Sequence, residues 1–167
     1  ANFGGRPIMW KSGHSRIKQK MLETEALLGG EYSGHFFFKE RWFGFDDGLY
    51  SGARLIEMLT LEGVSLEEAV AQLPVSVSSP EISIPVDEEN KFEVIARLQR
   101  SDEFEDGELS TLDGVRVDFA SGWGLVRASN TSARLTARFE ADTDEELQRI
   151  MSIFDRALSA QGISLQP

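Results

Sequence analysis

The sequence predicts two folded units in series, an α/β unit over residues 1–74 and an α+β unit over 75–167. Three observations carry that expectation. In the first half, apolar residues switch between helical spacing and short continuous runs in the order strand, helix, strand, helix. The stretch Pro74-Val75-Ser76-Val77-Ser78-Ser79-Pro80 is then small, polar and bounded by prolines, the composition of a linker. Beyond it the strands are grouped, with a helix before and after the group. That grouping suggests an antiparallel sheet with both helices on one face.

In the first unit, Pro7 to Trp10 is a short apolar stretch of strand length, closed by Lys11-Ser12-Gly13-His14. Ile17, Met21, Leu22 and Leu28 recur at helical spacing, with Lys18, Gln19, Lys20 and Glu23 on the other side. Ser15 is placed to cap this helix and Gly29-Gly30 to stop it. Phe36-Phe37-Phe38 reads as a buried strand. Asp46-Asp47 opens a second helix carrying Leu49, Ala53, Leu55, Ile56 and Leu59. The spacing of Ser65 to Glu68 is a capping box for a third helix, which ends at Pro74.

In the second unit, Ile82, Ile84 and Val86 alternate as a half-buried strand does, and Asp87 heads a helix bearing Phe92, Ile95 and Leu98. Asp113-Gly114 lies between two apolar runs, Leu109 to Leu112 and Val115 to Phe119, which is a hairpin signal. Strands follow over Trp123 to Ala128 and Arg134 to Phe139. A closing helix starts at Thr143, boxed by Glu146, with Leu147, Ile150, Met151, Phe154 and Leu158 as its core stripe.

Composition excludes several classes of function. With 17 Lys+Arg against 28 Asp+Glu, 17 − 28 gives a net charge of −11, which opposes a nucleic-acid or anionic-membrane surface. The chain has no cysteine, so no disulfide scaffold, thiolate metal site or cysteine nucleophile is available. No apolar run approaches the roughly 20 residues of a membrane span, and no secretory signal opens the chain. The expectation is a soluble, acidic, cytoplasmic protein.

Three segments carry chemistry. In Arg127-Ala128-Ser129-Asn130-Thr131, a guanidinium fork, two hydroxyls, an amide and backbone N–H groups converge at a strand-to-strand turn. Those are the groups that hold a phosphate, although Ser, Asn and Thr also populate turns for local backbone reasons. In Glu31-Tyr32-Ser33-Gly34-His35, an acceptor and a donor flank a position where glycine permits close approach. That pair suits adjacent sugar hydroxyls, and His35 is able to move a proton near neutral pH. Lys11-Ser12-Gly13-His14-Ser15 places a cation and the His14 imidazole before a helix start, where anions are attracted. Asp46-Asp47-Gly48 reads as a helix start in preference to a metal-ligand pair, and the acidic run at 142–146 reads as a first helical turn.

Taken in order, these residues resemble the α-D-phosphohexomutase superfamily. Gly30-Glu31-Tyr32-Ser33-Gly34-His35, the preceding Lys11-Ser12-Gly13-His14-Ser15 and Arg127-Ala128-Ser129-Asn130-Thr131 carry the resemblance over nearly the whole chain. The segment from Phe37 to Gly48, Phe-Phe-Lys-Glu-Arg-Trp-Phe-Gly-Phe-Asp-Asp-Gly, is most similar to the bacterial phosphomannomutase/phosphoglucomutase branch. The resemblance implies a four-domain parent enzyme. Residues 1–74 would be part of its third, sugar-binding α/β domain, and 75–167 all of its fourth, phosphate-binding α+β domain. It also implies that Glu31, Tyr32, Ser33, Gly34, His35 and His14 line the sugar site, with His35 assisting proton transfer. Arg127, Ala128, Ser129, Asn130 and Thr131 would hold the phosphate that is not reacting.

The implied reaction moves phosphate between O1 and O6 of a hexose, through a phosphoserine and a hexose 1,6-bisphosphate, with Mg2+ as cofactor. The implied substrates are the 1- and 6-phosphates of glucose and mannose. Nothing in the sequence resembles the family's phosphoserine loop or its magnesium loop, and the chain opens on Ala1, partway into the expected third domain. A C-terminal fragment is therefore expected, inactive alone, whose partners are the missing N-terminal domains and which holds no metal ligand itself. Tyr32 stands where relatives commonly carry Met or Gln. The alternatives are a stand-alone, non-enzymatic phosphosugar-binding module and a mutase fragment acting on an amino-sugar phosphate.

Overall fold

The computed structural model describes residues 4–165. The chain divides into two compact units, Ala1–Pro74 and Val75–Pro167. The first runs α1 (His14–Thr24), β1 (Leu28–Gly30), β2 (Phe36–Phe38), α2 (Gly48–Glu62) and α3 (Leu66–Ala71). β1 and β2 form an antiparallel hairpin with Leu28 opposite Phe38 and Gly30 opposite Phe36. Helix α1 lies so close on β1 that a Cβ at Gly29 would fall 2.7 Å from Met21 Sδ and 2.9 Å from Ile17 Cγ2. On the other side, Phe38 meets the edge of Tyr50 in α2 with ring centroids 5.7 Å apart. Asp47 caps α2 by accepting the Tyr50 N–H at 2.9 Å, and Ser65 with Glu68 completes the capping box of α3.

Three local expectations change here. Pro7–Trp10 is not a strand: Pro7 lacks an N–H, and no described strand pairs with the segment. Helix α1 stops at Thr24 because Glu25 turns left-handed (φ 55°) and returns its N–H to Met21 O, which frees Leu28–Gly30 to pair with β2. Its N-cap is Gly13, without a side-chain cap, not Ser15. Helix α2 forms where expected, yet its apolar residues are not covered: Leu49 is 91% exposed and Ile56 67%. A two-stranded sheet is too small to cover such a helix. Among the described residues of this unit, Met21 and Phe37 are the buried hydrophobic side chains.

The second unit runs β3 (Val77–Ser78), β4 (Ile82–Pro85), α4 (Lys91–Leu98), β5 (Glu108–Ser110), β6 (Val115–Phe119), β7 (Gly122–Ala128), β8 (Arg134–Ala141) and α5 (Asp144–Ser159). The sheet is antiparallel, in the order β3-β8-β7-β6-β5, with β4 also on β8. Val117, Val126, Leu135 and Phe139 from the sheet share one core with Val94 and Leu98 of α4 and Ile150, Phe154 and Leu158 of α5. Both long helices thus cover one sheet face, as the α+β expectation requires.

The linker-like stretch contains the first part of the edge strand. Val77 and Ser78 pair with Ala141 and Glu140, and pairing resumes at Ile82 opposite Ala137. Pro80 has no N–H to offer the ladder, and Ser79 bridges the break. Its backbone N–H donates to Phe139 O at 2.9 Å, and its hydroxyl accepts the Phe139 N–H at 3.1 Å. Helix α4 begins at Lys91, after a turn at Asp87, and it is rotated relative to expectation: Phe92 is 60% exposed and Lys91 only 1%. In α5, Ile153 and Ala157 join the stripe, while Met151 is only partly buried. Thr143 caps α5, but the Glu146 carboxylate accepts from Ser121 and Arg149 and so does not complete a box.

Two predictions follow from this packing. A Cβ at Gly124 would fall 2.3 Å from Phe154 Cε2 and 2.9 Å from Phe139 Cδ1, so Gly124→Ala is expected to lose about 1–3 kcal/mol by overpacking. The loss should shrink in a Phe154→Leu background, read by urea unfolding with amide exchange in β7 and α5. The Glu146 carboxyl is held below the ordinary carboxylate range, first by the Ser121 hydroxyl and then by Arg149. Its folded pKa lies below the unfolded one, so its stabilisation is present above the unfolded value and lost as pH falls through the folded one. Glu146→Gln should therefore flatten the acid side of the stability–pH curve.

Candidate functional site

The hairpin loop Glu31–His35 is shaped by its own backbone. The Gly34 N–H donates to Glu31 O at 3.0 Å, and the Glu31 N–H donates to His35 O at 2.9 Å. Gly34 sits at φ 87°, a left-handed angle that glycine adopts without strain. The Glu31 carboxylate accepts the Gly13 N–H at 3.0 Å, so the turn before α1 and the hairpin loop come together. His14 follows that turn and is exposed, its Nδ1 3.4 Å from Ser15 Oγ. Tyr32, Ser33 and Gly34 are exposed at the loop tip.

His35 Nδ1 lies 2.7 Å from Asp46 Oδ2. Asp46 reaches it because it forms an isolated antiparallel bridge with Phe37. The connection from Lys39 to Phe45 is bound to α2 by ions and aromatics. Arg41 pairs with Glu57 at 2.7 Å, Arg54 with Glu40 at 2.7 Å, and the Tyr50 hydroxyl donates to Arg41 O at 3.2 Å. Trp42 stacks on Tyr50 with centroids 4.3 Å apart. Glu57, bonded by Arg41, is held below the ordinary carboxylate range, and Arg41 is pushed up in return.

In the second unit the candidate turn joins β7 to β8. Alternation along β7 sends Gly124 and Val126 into the core and places Trp123, Leu125 and Arg127 on the opposite face. The Ser129 N–H donates to Arg134 O at 3.0 Å, and Ser129 Oγ shares a 2.8 Å bond with Ser132 Oγ while accepting the Thr131 N–H at 3.3 Å. Ser129 is thus buried within the turn, whereas Asn130 and Thr131 face solvent. The Arg127 guanidinium makes no ion pair or hydrogen bond with another described residue.

Two supports stand behind this turn. Gly114 is packed so tightly under Arg127 that a Cβ there would lie 2.8 Å from Arg127 Cα, and Gln99 Nε2 donates to Gly114 O at 3.0 Å. Lys91 Nζ donates to Glu88 Oε1 at 2.5 Å and to Ser132 O at 3.3 Å. Sequence reasoning did not single out Lys91, although it occupies the first place of the 91, 94, 95, 98 series whose other members are core. It also assigned Asp46 to a helix start, a duty that falls to Asp47 alone.

Residues 1–76 match the family model described as phosphoglucomutase/phosphomannomutase, alpha/beta/alpha domain III, and residues 81–157 match that of the C-terminal domain. The chain belongs to the phosphoglucomutase/phosphomannomutase family. It is 57% identical over 165 residues to a phosphomannomutase/phosphoglucomutase of Pseudomonas aeruginosa, covering 99% of this chain and 36% of the relative. A phosphoglucomutase of Neisseria gonorrhoeae is 50% identical over 166 residues, covering 98% and 36%. The crystal structure of a phosphoglucomutase/phosphomannomutase family protein from Burkholderia thailandensis matches with a TM-score of 0.86 at 47% identity, over 96% of this chain and 34% of that one. The chain spans about a third of the length of these relatives. As in the family's third and C-terminal domains, an α/β unit is followed by an α+β unit. Among the described residues no helix is long and apolar enough to cross a membrane.

Lys91→Met tests how this mutase-family turn is braced. Only the Lys91 end of the pair is buried, and Glu88 is 61% exposed, so a hydrophobe of similar volume leaves no buried charge unpaired and global stability should move by no more than about 1 kcal/mol. Exchange of the Ser129 and Thr131 amides should accelerate about tenfold, since a lost bond of about 1.5 kcal/mol frees the turn. Unchanged exchange would show that the Ser132 tie does not hold it.

Proposed function

We propose that this chain supplies the sugar-recognition and phosphate-holding loops of a phosphomannomutase/phosphoglucomutase. The parent enzyme interconverts the 1- and 6-phosphates of glucose and mannose through a phosphoserine and a hexose 1,6-bisphosphate. The observation that carries the reading is Arg127: an unpaired guanidinium, firmly backed, at a turn that also exposes Asn130 and Thr131. The guanidinium fork takes two phosphate oxygens and the neighbouring donors take the third. Ala128 and Ser129 provide the turn that presents them.

Residues 1–74 act as part of the sugar-binding domain. Glu31 accepts from one sugar hydroxyl and the Ser33 hydroxyl donates to or accepts from the next. Tyr32 and Gly34 shape the loop, His14 lines the same site, and His35 moves the proton of the reacting hydroxyl. Mg2+ neutralises charge on the phosphoryl group in such enzymes. Among the described residues no three His, Asp or Glu side chains gather closely enough to hold a metal ion. The phosphoserine and metal loops belong to the remainder of the parent polypeptide, in the cytoplasm.

Amide shifts of this chain titrated with glucose 1-phosphate test the reading. Shifts at 127–131, with or without 31–35, are expected, and Arg127→Ala should abolish those at 127–131. In the parent enzyme the same substitution should lower kcat/KM roughly ten- to hundredfold, the loss of one charge-assisted contact of about 1.5–3 kcal/mol. Full activity of the Arg127→Ala parent would sink the assignment, and tight saturable binding at both loops of a chain with no parent would favour a non-enzymatic module.

A further inference from the structure

We infer that Asp46 is a positioning residue for His35, holding the imidazole as its Nδ1–H tautomer so that Nε2 is the nitrogen that exchanges a proton with a sugar hydroxyl. The inference rests on the reading of His35 as the proton-transfer residue. It begins from the 2.7 Å separation of His35 Nδ1 and Asp46 Oδ2. An ionised carboxylate has only lone pairs to offer, so the hydrogen in that bond belongs to Nδ1. An unconstrained neutral histidine prefers the opposite tautomer, with its hydrogen on Nε2. The bond therefore reverses the ring's ordinary state and turns Nε2 into a lone pair.

The backbone on both sides of this bond is fixed by hydrogen bonds and a strand bridge. His35 O accepts the Glu31 N–H at 2.9 Å, which locks the base of the hairpin loop. Asp46 is set beside Phe37 by its bridge, and the Gly44 N–H donates to Phe38 O at 2.8 Å just before it. Immediately after it, Asp47 is committed to the N-terminus of α2. Of two adjacent aspartates, one caps the helix and the other faces the histidine. Both side chains of the pair remain partly open to solvent, which leaves Nε2 accessible. A simple surface clip between these two groups contributes only about 0–1 kcal/mol, too little to account for the framework built around it.

When the hydroxyl oxygen attacks the phosphorus of the phosphoserine, its O–H bond breaks as the O–P bond forms, and the phosphorus–serine oxygen bond breaks with its electron pair left on the serine oxygen. The proton passes to Nε2, and the resulting imidazolium faces the Asp46 carboxylate, which stabilises its charge. In the reverse step Nε2 returns the proton to the leaving sugar oxygen.

The first test needs no substitution. Long-range proton–nitrogen correlation spectra of the 15N-labelled chain, in mildly alkaline solution where histidine is neutral, should show His35 as the Nδ1–H tautomer. Asp46→Ala should convert it to Nε2–H. A wild-type His35 in the Nε2–H form overturns the inference. In the parent enzyme, Asp46→Ala should lower kcat roughly ten- to hundredfold, part of the 10²–10⁴ that a proton-transfer group contributes, with KM changed less than about twofold. Combined with His35→Ala it should cost nothing further, because Asp46 acts through the ring. Additive losses, or normal turnover by Asp46→Ala where His35→Ala is impaired, overturn the positioning role. Full turnover by His35→Ala overturns the proton-transfer reading itself, and that result is separable from the tautomer measured in the isolated chain.

Discussion

The ring of Phe154 fills the space that a side chain at Gly124 would need, and the second unit is organised around that contact. Phe154 also meets Phe139 and Phe104, with centroids 5.2 and 4.8 Å away, so one side chain of α5 joins β7, β8 and the turn after α4. Strand β7 has period two. Slipping it by one residue would drive Arg127 into the core and Val126 out of it. Only the observed register lets an aromatic ring rest on a bare backbone at 124. The contact that fixes the core therefore also fixes which face of the sheet carries the guanidinium, three residues further along the strand.

The first unit follows a different physical scheme. With few buried apolar side chains among its described residues, its loops are located by polar ties: Gly13 to Glu31, His35 to Asp46, and the Arg41, Arg54, Glu40 and Glu57 group. Such ties give direction but little net stability where water competes for them. Apolar burial supplies the larger favourable term in folding, and the outer face of α2 contributes little of it. The relative from Pseudomonas aeruginosa is about three times as long as this chain. The geometry of the hairpin loop is thus set by local polar ties.

What was legible in the sequence divides along the same line. Period-two alternation and the Asp113-Gly114 turn defined the sheet of the second unit, because each strand there has one buried and one open face. Capping chemistry located α2, α3 and α5, since Asp47, Ser65 and Thr143 each accept a backbone N–H. The misread segments are those where tertiary context decided. Leu28 fits a helix period, but pairing with Phe38 holds it in a strand. Ser79 resembles a linker residue, and its hydroxyl completes a ladder that Pro80 interrupts. Lys91 was not singled out, though it is buried while its ammonium finds Glu88 and Ser132. The chemistry-bearing loops were visible as residue types; the partners that aim them, Asp46 and Gly114 among them, depend on approach in space.

The charge balance makes the same point about scale. A net charge of −11 would repel a phosphate if it acted as one uniform field. At physiological ionic strength, exposed charges are screened beyond about 8 Å, so what an anion meets is decided by groups within one or two side-chain lengths. Arg116 and Arg127, two of the arginines on the open face of the sheet, lie on adjacent strands. Arg116 is bound to Asp118 at 2.6 Å and lies 4.2 Å above the Trp123 ring, so its charge and its plane are both engaged. Among the described residues Arg127 has neither partner, and it stands near the end of the strand, beside a turn that exposes Asn130 and Thr131. Pairing one and leaving the other bare concentrates positive potential at the turn, without changing the charge of the chain.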